Sequence, residues 1–481
     1  MAEMAVTEQA QRILNVAPGP RGIPFLGNAH HALRDPLGFF LTSRATYGDV
    51  VKFKMGPFDY FLVNDPNVVH HVLVDNVKAY TKSRNYLGLR IVLGDGLLTS
   101  EGDAWRKQRK LAQPAFHRER MNGFVRQMSA STRDMLSRWK SDEVRATCMH
   151  REMMRLTFRI VGLTLFSSDV DGDAKEVGEA LDVAMTWAND YAESLVRIPP
   201  YVPTPTNIRF KRAMKTLDGL IYRLITERHA QEAAGKGTGD DLLGMLMDAR
   251  SENDERMNDK QLRDESMTMV LAGHETTANL LAWTFSLLSR HPEIARRVRD
   301  EARRVLGDRD PELADMKALE YTRRVLEEAL RLYPPAWMFE RQTVVPDRLG
   351  GFDVPKGAIV GVCTYVMHRH PDHWENPEGF DPDRFLPSRS EGRARYAYLP
   401  FGGGPRTCIG NHFALMESQV ILAMVMRGWD VALDPSHRVE LDPMVTLRPK
   451  HGIRAFVRPA PSPSSERLAP RTPSELRVVP S

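Results

Sequence analysis

The segment Asp264–Ser289 (DESMTMVLAGHETTANLLAWTFSLLS) constrains the fold most. Its apolar side chains fall nearly all round a helical projection, which a surface helix cannot bury. It therefore predicts a long helix through the centre of the molecule, and 481 residues at 42% hydrophobic content can supply the surrounding core. The middle of this helix breaks its own pattern with Ala272-Gly273-His274-Glu275-Thr276-Thr277. A glycine costs about 1 kcal/mol relative to alanine in a helix interior, and a carboxylate and two hydroxyls are poor company for apolar packing. A zinc-protease HExxH reading fails, because the position of the second histidine is Ala278. Two readings stand: a helix irregularity with internally bonded threonines, or a kinked helix that offers a carboxylate and a hydroxyl to a ligand, with a small residue allowing close approach.

A second feature is Phe401–Gly410 (FGGGPRTCIG), which holds one of only three cysteines. A lone cysteine is ordinarily a buried structural thiol. Here, however, it stands behind three successive glycines and just ahead of a predicted helix at Asn411–Met426. Such glycines suit a backbone pressed against something flat or bulky, and a helix N-terminus favours a thiolate. Cys148, Cys363 and Cys408 are far apart in sequence and form no CxxC pair, which argues against a disulfide framework or a zinc knuckle and fits a reducing cytoplasm. The glycines are not a phosphate loop, since no GK[ST] follows.

The rest of the chain reads as one mainly helical domain with a minor β portion. A helix is predicted at Pro36–Tyr47, with strands at Val50–Lys54, Tyr60–Val63, Ala358–Val362 and Ile453–Val457. From Trp105 to Arg331 the pattern is mostly helical, with breaks at Pro199–Pro205, Ala234–Asp241 and His291–Pro292. Residues 1–17 are expected to be flexible, 18–457 to form the domain, and the Pro/Ser/Arg-rich 458–481 to be a disordered tail. A net charge of +4 gives no case for nucleic-acid binding. No segment is long and apolar enough for a signal peptide or membrane anchor, so a soluble, cytoplasmic protein is expected. Three weaker features complete the pattern. Glu328 and Arg331 share a helix face before Pro334-Pro335, and Arg384 follows in "FDPDRF". The run Trp105–Lys110 (WRKQRK) is either a solvated helix face or, through Trp105 and Arg109, a seat for a planar anionic group. His368, His370 and His373 are interrupted by Pro371 and lack an acidic or thiol partner, so no metal site is expected there.

Taken together these motifs resemble the cytochrome P-450 superfamily. The cysteine signature FxxGxRxCxG matches at Phe401, Gly404, Arg406, Cys408 and Gly410, and AGx[DE]T[TS] matches at Ala272–Thr277. ExxR matches at Glu328 and Arg331, WxxxR at Trp105 and Arg109, and the arginine of the PERF-like box at Arg384, all in order from about Pro18 to Arg458. One departure is His368-Arg369-His370-Pro371 where the family often has HRDP.

The resemblance implies a P-450 fold with a long central helix over a buried haem b, and Cys408 as its proximal thiolate and metal ligand. It implies cofactor contacts from Trp105, Arg109, Ala272, Arg341, Phe401, Gly402, Arg406 and Gly410. Thr276 and Glu275 are the implied catalytic pair for proton delivery, and Glu328, Arg331 and Arg384 a buried structural ion network. The substrate chamber is expected from Tyr86, Leu93, Leu97, Leu98, Val270, Ala272, Ala336, Trp337, Met338 and Val445, which suit a hydrophobic fatty acid, terpenoid, steroid or polyketide-like molecule. Leu93–Gly102 is similar to members that oxidise large apolar molecules. The implied activity is a monooxygenase acting in a monomer, with NAD(P)H electrons delivered by a separate ferredoxin or flavodoxin and its reductase. The rival readings are a peroxide-driven peroxygenase, against which the intact Glu275–Thr276 pair argues, and a non-catalytic haem gas sensor or carrier.

Overall fold

The structure is a computed structural model and describes residues 15–139, 144–194, 196–249 and 256–461. Its axis is the 32-residue helix Asp259–Arg290. A reciprocal cap starts it: Gln261 N–H donates to the Asn258 side chain, and Asn258 N–H to that of Gln261. Pro292 then opens the next helix, Pro292–Leu306, so the expected break at His291–Pro292 falls where the two meet. The central helix packs most extensively along helix Met149–Leu165, and also against Pro205–Ala233, Glu320–Leu332 and Asn411–Gly428. It stays helical through Ala272–Thr277. A Cβ at Gly273 would lie 3.0 Å from Val161 Cγ2. The glycine thus serves the crossing of two helices, and it remains partly accessible, so the reading in which a small residue lets a ligand approach also stands.

The larger sheet holds five strands in the order Val50–Met55, Phe58–Val63, Ile359–Val362, Phe339–Thr343, Tyr80–Lys82. The first two form an antiparallel hairpin, Phe58–Val63 runs parallel to Ile359–Val362, and Tyr80–Lys82 pairs with Phe339–Thr343 so that Lys82 faces Arg341. A smaller sheet joins Arg145–Cys148, Arg454–Pro459 and Trp429–Leu433. Its first strand interrupts the stretch expected to be mostly helical.

Ordered structure extends past both expected domain limits. Asn15 is bonded to Asp353 and Gly351, Ala17 is buried, and the strand Arg454–Pro459 continues through Arg458. Backbone pairing, which composition does not report, holds these ends; the remainder of 1–17 and of 458–481 lies outside the described residues.

Candidate functional site

The cysteine loop is braced by the helix Gly102–Ala112. The Arg406 guanidinium lies 4.1 Å over the Trp105 ring, and Arg109 Nη1 donates to the Thr407 carbonyl at 2.8 Å. Within the loop, Cys408 N–H donates to the Phe401 carbonyl at 2.9 Å. Cys408 is accessible, yet enough protein surrounds it that burial pushes its thiol up; the Gly410 N–H and the Arg109 guanidinium act in the opposite direction. Burial thus opposes the expected thiolate, and a metal ion held by Cys408 would supply positive charge in its favour. Cys363 is fully buried, with its thiol pushed up to about 12.

Cations converge beside this loop. Arg406 pairs with Glu101 at 2.5 Å and bonds Ser100 O at 2.9 Å, while Glu101 also accepts the Lys82 N–H at 2.8 Å. Burial, then Arg341, then Arg406, push the Lys82 ammonium well below its ordinary range. Three neighbouring cations, of which only Arg406 is paired with the carboxylate, make a receptor for anionic groups such as carboxylates. Lys82 was missed by sequence reasoning: it lies in a three-residue strand and reaches the others only through pairing with residue 341.

On the central helix, every residue from Leu262 to Leu288 is buried except Ala272, Gly273 and Thr276. Between Leu262 and Leu288 these three make its accessible face. Thr276 Oγ1 donates to the Ala272 carbonyl at 2.7 Å, the back-bonding of the irregular-helix reading. Glu275 turns elsewhere, and its Oε1 accepts the Thr446 hydroxyl at 2.5 Å. The two residues expected to act as a pair are thus adjacent in sequence, while each bonds a different group. Burial pushes the Glu275 carboxyl up, and the Thr446 bond and Arg448 oppose it.

A cavity of about 430 Å³ opens between the N-terminal helices, the larger sheet and helix Ala174–Glu193. Tyr86, Trp337, Met338 and Val445 line it, together with Phe40 and Phe58. Leu93, Leu97 and Val270 instead sit buried in an adjoining apolar cluster, against which Leu98 and Ile409 pack. Ala336 is exposed, its carbonyl accepting from Thr364 at 2.6 Å.

Beneath the loop lies a fully enclosed ion network. Arg331 donates to Glu328 at 2.7 and 2.8 Å, and Arg384 Nε to Glu328 Oε1 at 3.0 Å. The remaining Arg331 donors reach the carbonyls of His368, Pro377 and Gly379. Satisfied donors of this kind make a buried pair tolerable and fix one geometry. His368 Nε2 accepts the Leu399 N–H, and Leu399 O accepts the Gly402 N–H, which carries the bracing to the cysteine loop. His370 pairs with Asp49 at 2.9 Å, and its ring lies 4.6 Å from that of His373.

The residues fit a haem: an accessible cysteine on a glycine loop, a cation cluster suited to carboxylates, and a small-residue face on the central helix. Comparison with known proteins gives the class. The Cytochrome P450 family model matches residues 17–454, and the chain belongs to that family. It is 37% identical to cyclooctatin synthase of Streptomyces melanosporofaciens over 90% of this chain and 93% of that protein. It is 32% identical to pentalenene oxygenase of Streptomyces avermitilis over 96% and 99%. Among solved structures, retinoic-acid-bound cyanobacterial CYP120A1 superposes with a TM-score of 0.82 at 25% identity, covering 93% of this chain and all of that one. The protein is a cytochrome P450 monooxygenase with a haem cofactor. Among the described residues no helix is long and apolar enough to cross a membrane.

Proposed function

We propose that the protein inserts one oxygen atom of dioxygen into a cyclic terpenoid, using NAD(P)H electrons passed through a cytoplasmic ferredoxin or flavodoxin and its reductase. The observation that carries the substrate class is that relatives covering most of the chain act, by name, on cyclooctat-9-en-7-ol and pentalenene. The cavity walls of Phe40, Phe58, Trp337, Met338 and Val445 suit such apolar rings. Haem supplies dioxygen activation and oxygen transfer when bound. Cys408 would hold its metal, and Lys82, Arg341 and Arg406 its carboxylates, with Trp105 and Arg109 bracing the loop. Ala272 leaves room on the central helix, and Thr276 offers a hydroxyl there. Glu275 takes protons from solvent water and gives them up towards that face. A peroxide-driven enzyme would leave this carboxyl without a task, and a gas carrier would leave the apolar cavity without one.

A substrate panel tests this reading through the low-spin to high-spin optical shift of the purified holoprotein. Cyclic sesquiterpene and diterpene hydrocarbons and alcohols should give a saturable shift, and linear fatty acids of equal carbon number should not. A saturable response to the fatty acids with none to the terpenoids would overturn the substrate class.

A further inference from the structure

Glu275 is the end of a continuous chain of polar groups drawn from three separate parts of the fold, all buried except the half-buried His150. His150, on helix Met149–Leu165, contacts Asn279 Oδ1 through Nε2 at 2.9 Å. Asn279, one turn beyond Glu275 on the central helix, donates from Nδ2 to Thr446 Oγ1 at 3.2 Å, and Thr446 donates to Glu275 Oε1 at 2.5 Å. The donors have one consistent direction. Asn279 uses its amide hydrogens on Thr446, so its oxygen faces His150, which must then donate from Nε2. Burial lowers the His150 pKa, in keeping with a neutral ring whose Nε2 carries the hydrogen. Every link points at the carboxyl.

Thr446 cannot follow Glu275 if it swings away. Its loop is pinned by Trp337 Nε1 to Met444 O at 2.7 Å, Leu447 N–H to Pro335 O at 2.9 Å and Trp283 Nε1 to Leu447 O at 3.1 Å. The charged groups facing Glu275 come from two further elements. Arg448 acts on it electrostatically, as does Asp182 of helix Ala174–Glu193. Arg448 is held by Asp442 and by the exposed Asp182, each at 2.9 Å.

We propose that Thr446, Asn279 and His150 are positioning residues that hold the Glu275 carboxyl in one orientation for proton delivery, with the Arg448–Asp182 ion pair marking its solvent side. This rests on the proton role given to Glu275 above. In each delivery a solvent hydronium ion on the Asp182 side breaks one O–H bond and becomes water, and its proton forms an O–H bond on the Glu275 oxygen that Thr446 leaves free. Glu275 releases one proton towards Thr276 and returns to the carboxylate; no electrons move.

The test compares Thr446→Val, which removes the hydroxyl at nearly constant shape, with Thr446→Ser, which restores it, and with His150→Gln. Two readouts are used: the fraction of electrons recovered in product against hydrogen peroxide, across pH, and an infrared titration of the Glu275 carboxyl with Glu275→Gln as reference. Losing a bond that favours the carboxylate should raise the pH at which the carboxyl ionises by about one unit in Thr446→Val. Product per electron should fall about threefold to tenfold, Thr446→Ser should recover to within about twofold of wild type, and His150→Gln should shift the ionisation in the same direction by less. If Thr446→Val leaves both the infrared titration and the pH profile of coupling unchanged, the chain is packing alone and the inference fails. If Glu275→Gln itself leaves coupling unchanged, the proton role fails, a result distinct from the first because the infrared titration still reads positioning.

Discussion

Gly402 and Gly404 stand two residues apart in the cysteine loop and answer to different constraints. Both have φ in the left-handed region, at +69° and +66°. A Cβ on Gly404 would lie 2.1 Å from the Leu73 carbonyl oxygen, whereas one on Gly402 would meet nothing within 4 Å. A Cβ on Gly403 would come within 2.5 Å of the Tyr396 ring. Two of the three glycines are therefore set by the protein behind the loop, which is the bulky neighbour that a close-pressed backbone implies. Gly402→Ala should cost only the backbone term, about 1–2 kcal/mol. Gly404→Ala adds a backbone clash worth about 1–3 kcal/mol more and should lower haem retention. Chemical denaturation of the two variants measures the difference, and equal losses would mean that Leu73 yields freely.

At the scale of elements, the loop Gly94–Leu98 is tied to the first turns of the central helix by two carboxylates. Asp264 accepts the Asp95 N–H at 3.0 Å, and Glu265 accepts the Leu97 N–H at 3.1 Å. Burial raises the Glu265 pKa to about 7. A carboxyl whose folded value exceeds its ordinary one destabilises the fold when ionised: the effect is absent below the ordinary value, grows as pH rises towards 7, and is constant above. Glu265→Gln keeps an acceptor for Leu97 without the charge. It should raise the unfolding midpoint at pH 8 and leave it nearly unchanged at pH 4; a loss at pH 8 would mean that the ionised bond outweighs burial. The central helix was legible in the sequence because its burial is written in local periodicity, and the cysteine and Glu328–Arg331 motifs because their spacing is short. The partners of Glu275 and of Arg341 were not. Thr446 lies 171 residues from Glu275, and only the course of the chain between them brings the two together. Likewise nothing near Lys82 in sequence signals that a strand places it opposite Arg341.

Across the whole molecule a net charge of +4 is nearly neutral, so any attraction of a redox partner depends on where the cations stand. The helix Gly102–Ala112 braces the cysteine loop, and its Arg106, Lys107 and Lys110 are exposed. Arg106 is paired with Asp103, which leaves the two lysines as the better candidates. Exposed ion pairs are individually weak, but several facing one acidic partner can raise its association rate by roughly tenfold or more. Lys107→Glu with Lys110→Glu should slow reduction by an acidic ferredoxin at low salt, with haem content and spin shift unchanged. The deficit should shrink as salt is raised. Stopped-flow reduction across a salt series checks this, and a wild-type rate at low salt would place the docking surface elsewhere.

The central claim is that this chain works through a haem held by Cys408, and the reduced carbon-monoxide difference spectrum tests it most directly. Purified protein should show the red-shifted Soret band of thiolate ligation, kept in Cys148→Ser and Cys363→Ser and lost in Cys408→Ser. Survival of the band in Cys408→Ser, or its loss in either of the other two with haem still bound, would contradict the account.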